Sequence, residues 1–472
     1  MHSLGIKSIS LAAMVVACCA LARGEDAVPA PGTSTTPSKI DLKITGEERL
    51  ARAAEPIPLP PITNPIDDDQ LTLAEAEAMA TSFHPAIREA VARVRAAHGN
   101  WVQVGLKPNP EAGYAANEIG DEGRAGQQGG IISQEFVTAG KLELNRAVAL
   151  RDQAQAEQRL EQVRAQVITT VRKYYFECLA AERAVIMAKQ LNQIAAESVD
   201  VSEQRLKAMN VPKTSLLQSQ IESDSAALVE QQATERHAAA RRRLATAIGN
   251  QDQLPARLED VFVRPLPELD YATVRERLMQ DSPELAELRF AVDRARWAVQ
   301  RASAGRVPNV NTQAGVQFDN ATQDTIANVQ VTLPIPIHDR NQGAIAEACG
   351  QLSAAQAALE ARELAIQQRL TTALRDYTTA RERVGKYTDK ILPAAKESLD
   401  LINFGYQQGK LDYTQVYNVQ QTYAAKSLSY LQDLETAWQE WAEIDGFLVG
   451  ELPASAIDRM SQTPENTGGR RF

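Results

Sequence analysis

His338–Asp339, inside the stretch VTLPIPIHDRNQG (331–343), is the pairing in this chain that could do proton-transfer chemistry, an imidazole beside a carboxylate. Acid–base or covalent catalysis would also need a nucleophile-bearing motif within reach, and none accompanies it. The five histidines form no HxxxH pattern and the four cysteines no CxxC, so neither a catalytic nor a structural metal finds the ligand spacing it requires. Cys178 and Cys349 lie in helical sequence in the body of the chain. They read either as a disulfide of an exported protein or, preferably, as isolated buried thiols. No cofactor is implied, and the chain reads as non-enzymatic. The stretch must then be explained by what it does to the backbone.

The 472 residues, 44% of them hydrophobic, suffice for a large core or two ordinary domains. Aromatic content is only 5%, and long proline-free runs rich in Ala and Gln favour long helices packed through small residues. The net charge of −10, with no basic stripe, gives no support for a nucleic-acid partner.

Residues 1–22 read as a signal: MHSLGIK supplies a basic start and ISLAAMVVACCALA an apolar run of suitable length. Cleavage after Ala22 fits the small-residue rule, while VVAC (15–18) resembles a lipobox with Cys18 as the lipidated residue. The chain leaves the cytoplasm on both readings. Residues 23–70 are rich in Pro, Ala, Thr and Glu and read as a flexible lead-in, and 455–472 as a disordered tail. No apolar run beyond the signal is long enough for a spanning helix, but a transmembrane β-barrel needs only short alternating strands.

Between these ends the sequence is written twice, at 71–250 and 268–450. LTLAEAEAMATSFHPAIREAVARVRAA opens the first half and LDYATVRERLMQDSPELAELRFAVDRARWAV the second, each an amphipathic helical pattern containing a polar-Pro pair. Each half then reaches Pro-Asn, at Pro108–Asn109 and Pro308–Asn309, where proline ends the helix. The period next changes from 3.6 to 2. In the second half Ala314, Val316 and Phe318, then Val329, Val331 and Leu333, alternate with polar residues around the turn DNATQDT, predicting a hairpin at about 311–333. The first half gives a weaker hairpin at about 111–136, with GDEGRAGQQGG as its polar turn.

FVTAGKLELN and PIPIHDRNQG lead back into helix. The first long helix should run from about Leu142 to about Ala208, the second from about Gly343 to Gly405 with a local kink at Pro393. Helices of that length must lie against similar partners, as in a coiled coil or helical tube. Reversals at about 207–213 and 405–413 precede a returning helix in each half. Four strands cannot close a barrel, and their free edges are unacceptable in a bilayer. A homotrimer with about 12 strands would enclose a water-filled interior.

This organisation resembles the bacterial outer-membrane efflux proteins, the TolC-like channels, over roughly residues 70–450. The wording LTLAEAEAMATSFHPAIREA, GLKPNP, QEFVTAGK, LPIPIHDRNQG and ILPAAKESLDLINFGYQQGKLDYTQV is closest to the outer-membrane components of cobalt–zinc–cadmium efflux systems. The resemblance implies a mainly α fold with a small membrane β-barrel contribution, a trimeric barrel over a long periplasmic helical tube. It implies a passive exit duct in the outer-membrane lipid, served by a periplasmic membrane-fusion adaptor and a proton-driven inner-membrane efflux pump. Heavy-metal cations are the implied cargo, with drugs or other organic compounds as the alternative. A surface-anchored coiled-coil structural protein or adhesin is the reading from another class.

Within that frame Pro334 and Pro336, which cannot donate to a ladder, fit the strand-to-helix junction, and Asp339 and Arg340 fit local capping of the helix start. The periplasmic tip is the expected aperture and docking region, with Asn210 at the first reversal and Lys410, Asp412, Gln415 and Asn418 at the second. Lys207 and Lys213 read as solvated turn residues.

Overall fold

Thr72 opens the first helix by a reciprocal cap: the Glu75 amide donates to Thr72 Oγ1 (3.2 Å) and the Thr72 amide to Glu75 Oε2 (2.9 Å). The computed structural model describes residues 70–120, 125–209, 212–249, 257–407 and 413–447. All belong to one compact unit, Ile62–Phe472. The signal region with Cys18, the lead-in up to residue 69 and the carboxyl tail lie outside the described residues.

After a short strand β1 (Gln70–Leu71) come α1 (Leu73–Phe83) and α2 (Pro85–Gln103), then β2 (Glu111–Gly120) and β3 (Ala125–Phe136), then α3 (Lys141–Lys207) and α4 (Lys213–Ile248). The order repeats with β4 (Arg257–Leu258), α5 (Tyr271–Asp281), α6 (Pro283–Ala304), β5 (Val310–Asp319), β6 (Asp324–Thr332), α7 (Gln342–Lys386), α8 (Leu392–Gln407) and α9 (Tyr413–Phe447). The polar-Pro pairs divide each opening helix in two. Pro85 and Pro283 take first-turn positions, where a missing N–H costs nothing. His84 caps α2 by accepting the Ala86 amide on Nδ1 (3.2 Å).

α3 has 67 residues, about 100 Å at 1.5 Å per residue. It packs along α4, α6 and α9, and α7 packs along α6 and α9. Buried alanines such as Ala165, Ala181, Ala188 and Ala195 let the helices approach closely. The second long helix is not simply kinked. A π-helical turn, Tyr387–Ile391, separates α7 from α8, and the Leu392 amide bonds back to Tyr387 O. Pro393 offers no N–H and its ring crowds the preceding turn, so the ladder widens just before it.

The core gathers where both halves begin. Val171, Tyr175 and Phe176 of α3 meet Leu244 and Ile248 of α4, Leu278 and Leu285, Leu370 and Tyr377 of α7, and Trp438, Trp441 and Ile444 of α9. Tyr175 Oη donates to Leu71 O and Glu259 O (both 2.9 Å), beside the parallel β1–β4 pair, and Tyr377 Oη donates to Pro267 O. Arg172 lies between Glu77 (2.6 Å) and Asp445 and over the Trp441 ring. The two thiols differ from the expectation. Cys178 is buried, which pushes its pKa up to about 12, whereas Cys349 is exposed and both are free.

Candidate channel wall and its junctions

The two hairpins join into one antiparallel sheet, ordered β2-β3-β5-β6. Ladder register decides which side chains share a face. Tyr114 is opposite Gly130, Ile132 opposite Ala314, Gly130 opposite Val316, Gln128 opposite Phe318, and Ala314 opposite Val329. One face therefore collects Tyr114, Ile132, Val316, Phe318, Val329 and Val331, all exposed, Tyr114 and Val329 at 69%. Two long polar side chains, Gln128 and Gln134, share it; Gln128 accepts the Tyr114 hydroxyl (2.8 Å) and Gln134 donates to Pro108 O (2.9 Å) at the end next to the helices. The other face holds Gln127, Ser133, Asn311, Gln313, Gln317, Asn328 and Gln330, with Asn328 donating to Gln317 (2.7 Å). Four carboxylates, Glu111, Glu135, Asp319 and Asp324, share that polar face, and the described residues of β2, β3, β5 and β6 include no Lys or Arg.

The first hairpin departs from its sequence reading. The stretch AGQQGG, expected in the turn, is the first half of β3. Glycine hid it: Gly129 lies so close to the Val316 carbonyl and Gln317 Cα that a side chain would overlap both. β2 also contains a bulge between Asn117 and Gly120, with Glu118 at φ 53°. The extra residue shifts the alternation and puts Ile119, 73% exposed, on the apolar face.

Each hairpin meets its long helix through a left-handed residue, Gly140 (φ 62°) and Asn341 (φ 59°). At the first junction Lys141 is buried. Its ammonium donates to Val307 O (2.5 Å) and Asn309 Oδ1 (2.6 Å), while Thr138 Oγ1 donates to Pro308 O (2.7 Å). Burial pulls the Lys141 pKa below its usual value, Arg301 adds to this and Glu135 opposes it. Sequence reasoning missed this clasp, whose only local sign is the GK pair.

The second junction is open. Pro334, Pro336, Asp339 and Arg340 are all exposed. Asp339 Oδ1 accepts the Asn341 amide (2.8 Å), and the Arg340 amide donates to Gln342 Oε1 (2.8 Å). At the far end of the helices, Gln415 and Asn418 are exposed on the first turns of α9. Asn210, Lys410 and Asp412 lie outside the described residues. Lys207 pairs with Glu203 at 3.9 Å with its side chain 79% exposed. Among the described residues no three His, Cys, Asp or Glu side chains converge to hold a metal, and no helix is long and apolar enough to cross a membrane.

Long paired helices ending in a sheet with one apolar and one polar face define a wall segment of a membrane conduit. The sequence profile described as outer membrane efflux protein matches residues 78–250 and again 274–448. The chain belongs to this family of TolC-like outer-membrane efflux proteins. It is 26% identical over 389 residues to the cobalt-zinc-cadmium resistance protein CzcC of Cupriavidus metallidurans, covering 80% of this chain and 90% of that protein. Its fold is similar to that of CusC (TM-score 0.69, 16% identity, 82% of this chain and 93% of the other). It is also similar to the open state of the MtrE outer-membrane channel of Neisseria gonorrhoeae (TM-score 0.66, 19% identity, 80% and 89%).

Proposed function

We propose that three copies of this chain close a barrel of about 12 strands and act as the exit duct of a tripartite efflux system for heavy-metal cations. The observation that supports this most is the two-faced sheet. Its exposed apolar side chains suit lipid, and the opposite face suits water. A bare apolar face of this extent on a water-soluble protein would be an aggregation site. The periplasmic adaptor and the proton-driven inner-membrane pump supply the energy and the cargo, and the duct itself conducts passively.

Cation cargo is supported by charge as well as by the similarity to CzcC. Threefold repetition of Glu111, Glu135, Asp319 and Asp324, without a Lys or Arg among the described residues of these four strands, lines the lumen with negative potential. Rings of carboxylates favour cations in a pore. Detergent-extracted protein in planar bilayers should form channels whose reversal potential in a salt gradient is that of a cation-selective pore. Anion selectivity would overturn the cargo assignment, and absence of channels from intact trimers would overturn the duct.

The aperture is assigned to the second reversal, where Lys410 and Asp412 precede the exposed Gln415 and Asn418, with Asn210 at the first. Asp412→Ala combined with Gln415→Ala should raise single-channel conductance and weaken block by divalent cations while trimers persist. Unchanged conductance and unchanged block would place the constriction elsewhere.

A further inference from the structure

We propose that the free edges of the sheet pair with each other between copies of this chain in one defined register, Val331 opposite the neighbouring copy's Tyr114 and Val329 opposite its Ala116. This rests on the reading of the duct as several copies of the chain. β2 and β6 are the outer strands, and an unpaired row of N–H and C=O groups inside a bilayer is not tolerated.

The chain contains its own template for this contact. β3 meets β5 where the first hairpin joins the second, and by repetition β6 should meet the next copy's β2. Pro108–Asn109 and Pro308–Asn309 hold equivalent places before β2 and β5, so Glu111 corresponds to Asn311. Their hairpin mates, Ser133 and Thr332, then correspond as well. Under this mapping the observed pair Ile132–Ala314 becomes Val331–Tyr114, and Gly130–Val316 becomes Val329–Ala116. The mapping uses backbone pairing alone, yet it sets apolar-face residues opposite apolar-face residues and Asn328 opposite Asn117 on the polar face. A slip of one residue would bury Val331 among the polar side chains.

Charge at the junctions agrees. The first junction answers the neutral Val307–Asn309 segment with the Lys141 ammonium. In the same register the second must answer the neighbouring copy's Lys107–Asn109. Here Gln342 stands in the position of Lys141, directly after the left-handed residue. Seven positions separate Ser133 from Gly140 and nine separate Thr332 from Asn341, and this longer connection brings in Asp339. Lys107 and Asp339 are both exposed in the single chain. The cation and its acceptor have exchanged sides.

Directly opposed residues of an antiparallel pair have Cα separations of about 4.5–5.5 Å, within disulfide reach, whereas diagonal neighbours are about 7–8 Å apart. Full-length protein bearing Val331→Cys together with Ala112→Cys, Tyr114→Cys or Ala116→Cys would be oxidised mildly in detergent and run without reductant, the parent chain with its own cysteines giving the background. The Tyr114→Cys combination should give covalent trimers at several times the yield of the other two. A higher yield with Ala112→Cys or Ala116→Cys, or no interchain disulfide from intact trimers, overturns the register while the duct reading stands. A protein that is monomeric by mass overturns both. Lys107→Asp and Asp339→Lys should each lower the temperature at which trimers dissociate, and the double exchange should restore it; additive losses would count against the junction contact.

Discussion

Gly129→Ala should cut the amount of folded protein in the outer membrane by more than tenfold, whereas Gly130→Ala, one residue away, should leave it unchanged. A methyl group on Gly129 overlaps the Val316 carbonyl oxygen and Gln317 Cα, both backbone atoms of β5, while one on Gly130 meets open space. No rotamer change relieves a backbone overlap, so the β3–β5 ladder must open. Among the described residues that ladder joins the two hairpins into one sheet, and without it the apolar face is no longer continuous. Membrane fractionation with quantitative blotting, followed by counting channel insertions in planar bilayers, measures the effect. Equal recovery of the two variants would show that the hairpins do not depend on this close approach.

Arg172→Met should lower stability by about 3 kcal/mol, the scale for removing one partner of a buried ion pair. Arg172 is 18% exposed, and its partners Glu77 and Asp445 are 22% and 12% exposed. It ties α1 and the end of α9 to the middle of α3, and its loss strands two carboxylates in the core region. Glu77→Gln and Asp445→Asn added to the same chain should recover most of the deficit, because neutral amides cost less to bury than unpaired carboxylates. Denaturant unfolding followed by helical circular dichroism, at fixed protein and detergent concentration, tests both statements. A single-variant loss within about 0.5 kcal/mol, the scale of ordinary surface substitutions, would mean that the network is solvated.

Local features are legible in the sequence, and contacts between distant residues are not. The second hairpin was legible because Val316, Phe318, Val329 and Val331 alternate cleanly, and Pro-Asn marks where helix stops. The second strand of its twin, β3, is half hidden, since the glycines that permit close backbone contact also look like a turn. Lys141, Tyr175 and Tyr377 were missed. Their partners lie from 84 to 168 residues away, and nothing near them announces a carbonyl to be bonded. Repetition was the available signal: Tyr175 stands thirty-four positions after Lys141, and Tyr377 thirty-five after Gln342. Pro393 showed that the helix changes there but not how, because a kink and a widened turn both relieve the same missing donor. Of the aperture candidates, Gln415 and Asn418 lie on described helix, while Asn210, Lys410 and Asp412 lie outside it.

The π turn makes the two long lines of helix mechanically unequal. α3 keeps one bonding pattern over its 67 residues and behaves as a strut, stiff at every height. The α7–α8 line has its wider turn at Tyr387–Ile391 and a missing donor at Pro393, so its compliance is concentrated in one joint. A load applied at the lower end compresses the strut but swings the segment beneath the joint, taking the exposed Leu401 and Phe404 with it. Each chain therefore contributes one rigid panel and one articulated panel.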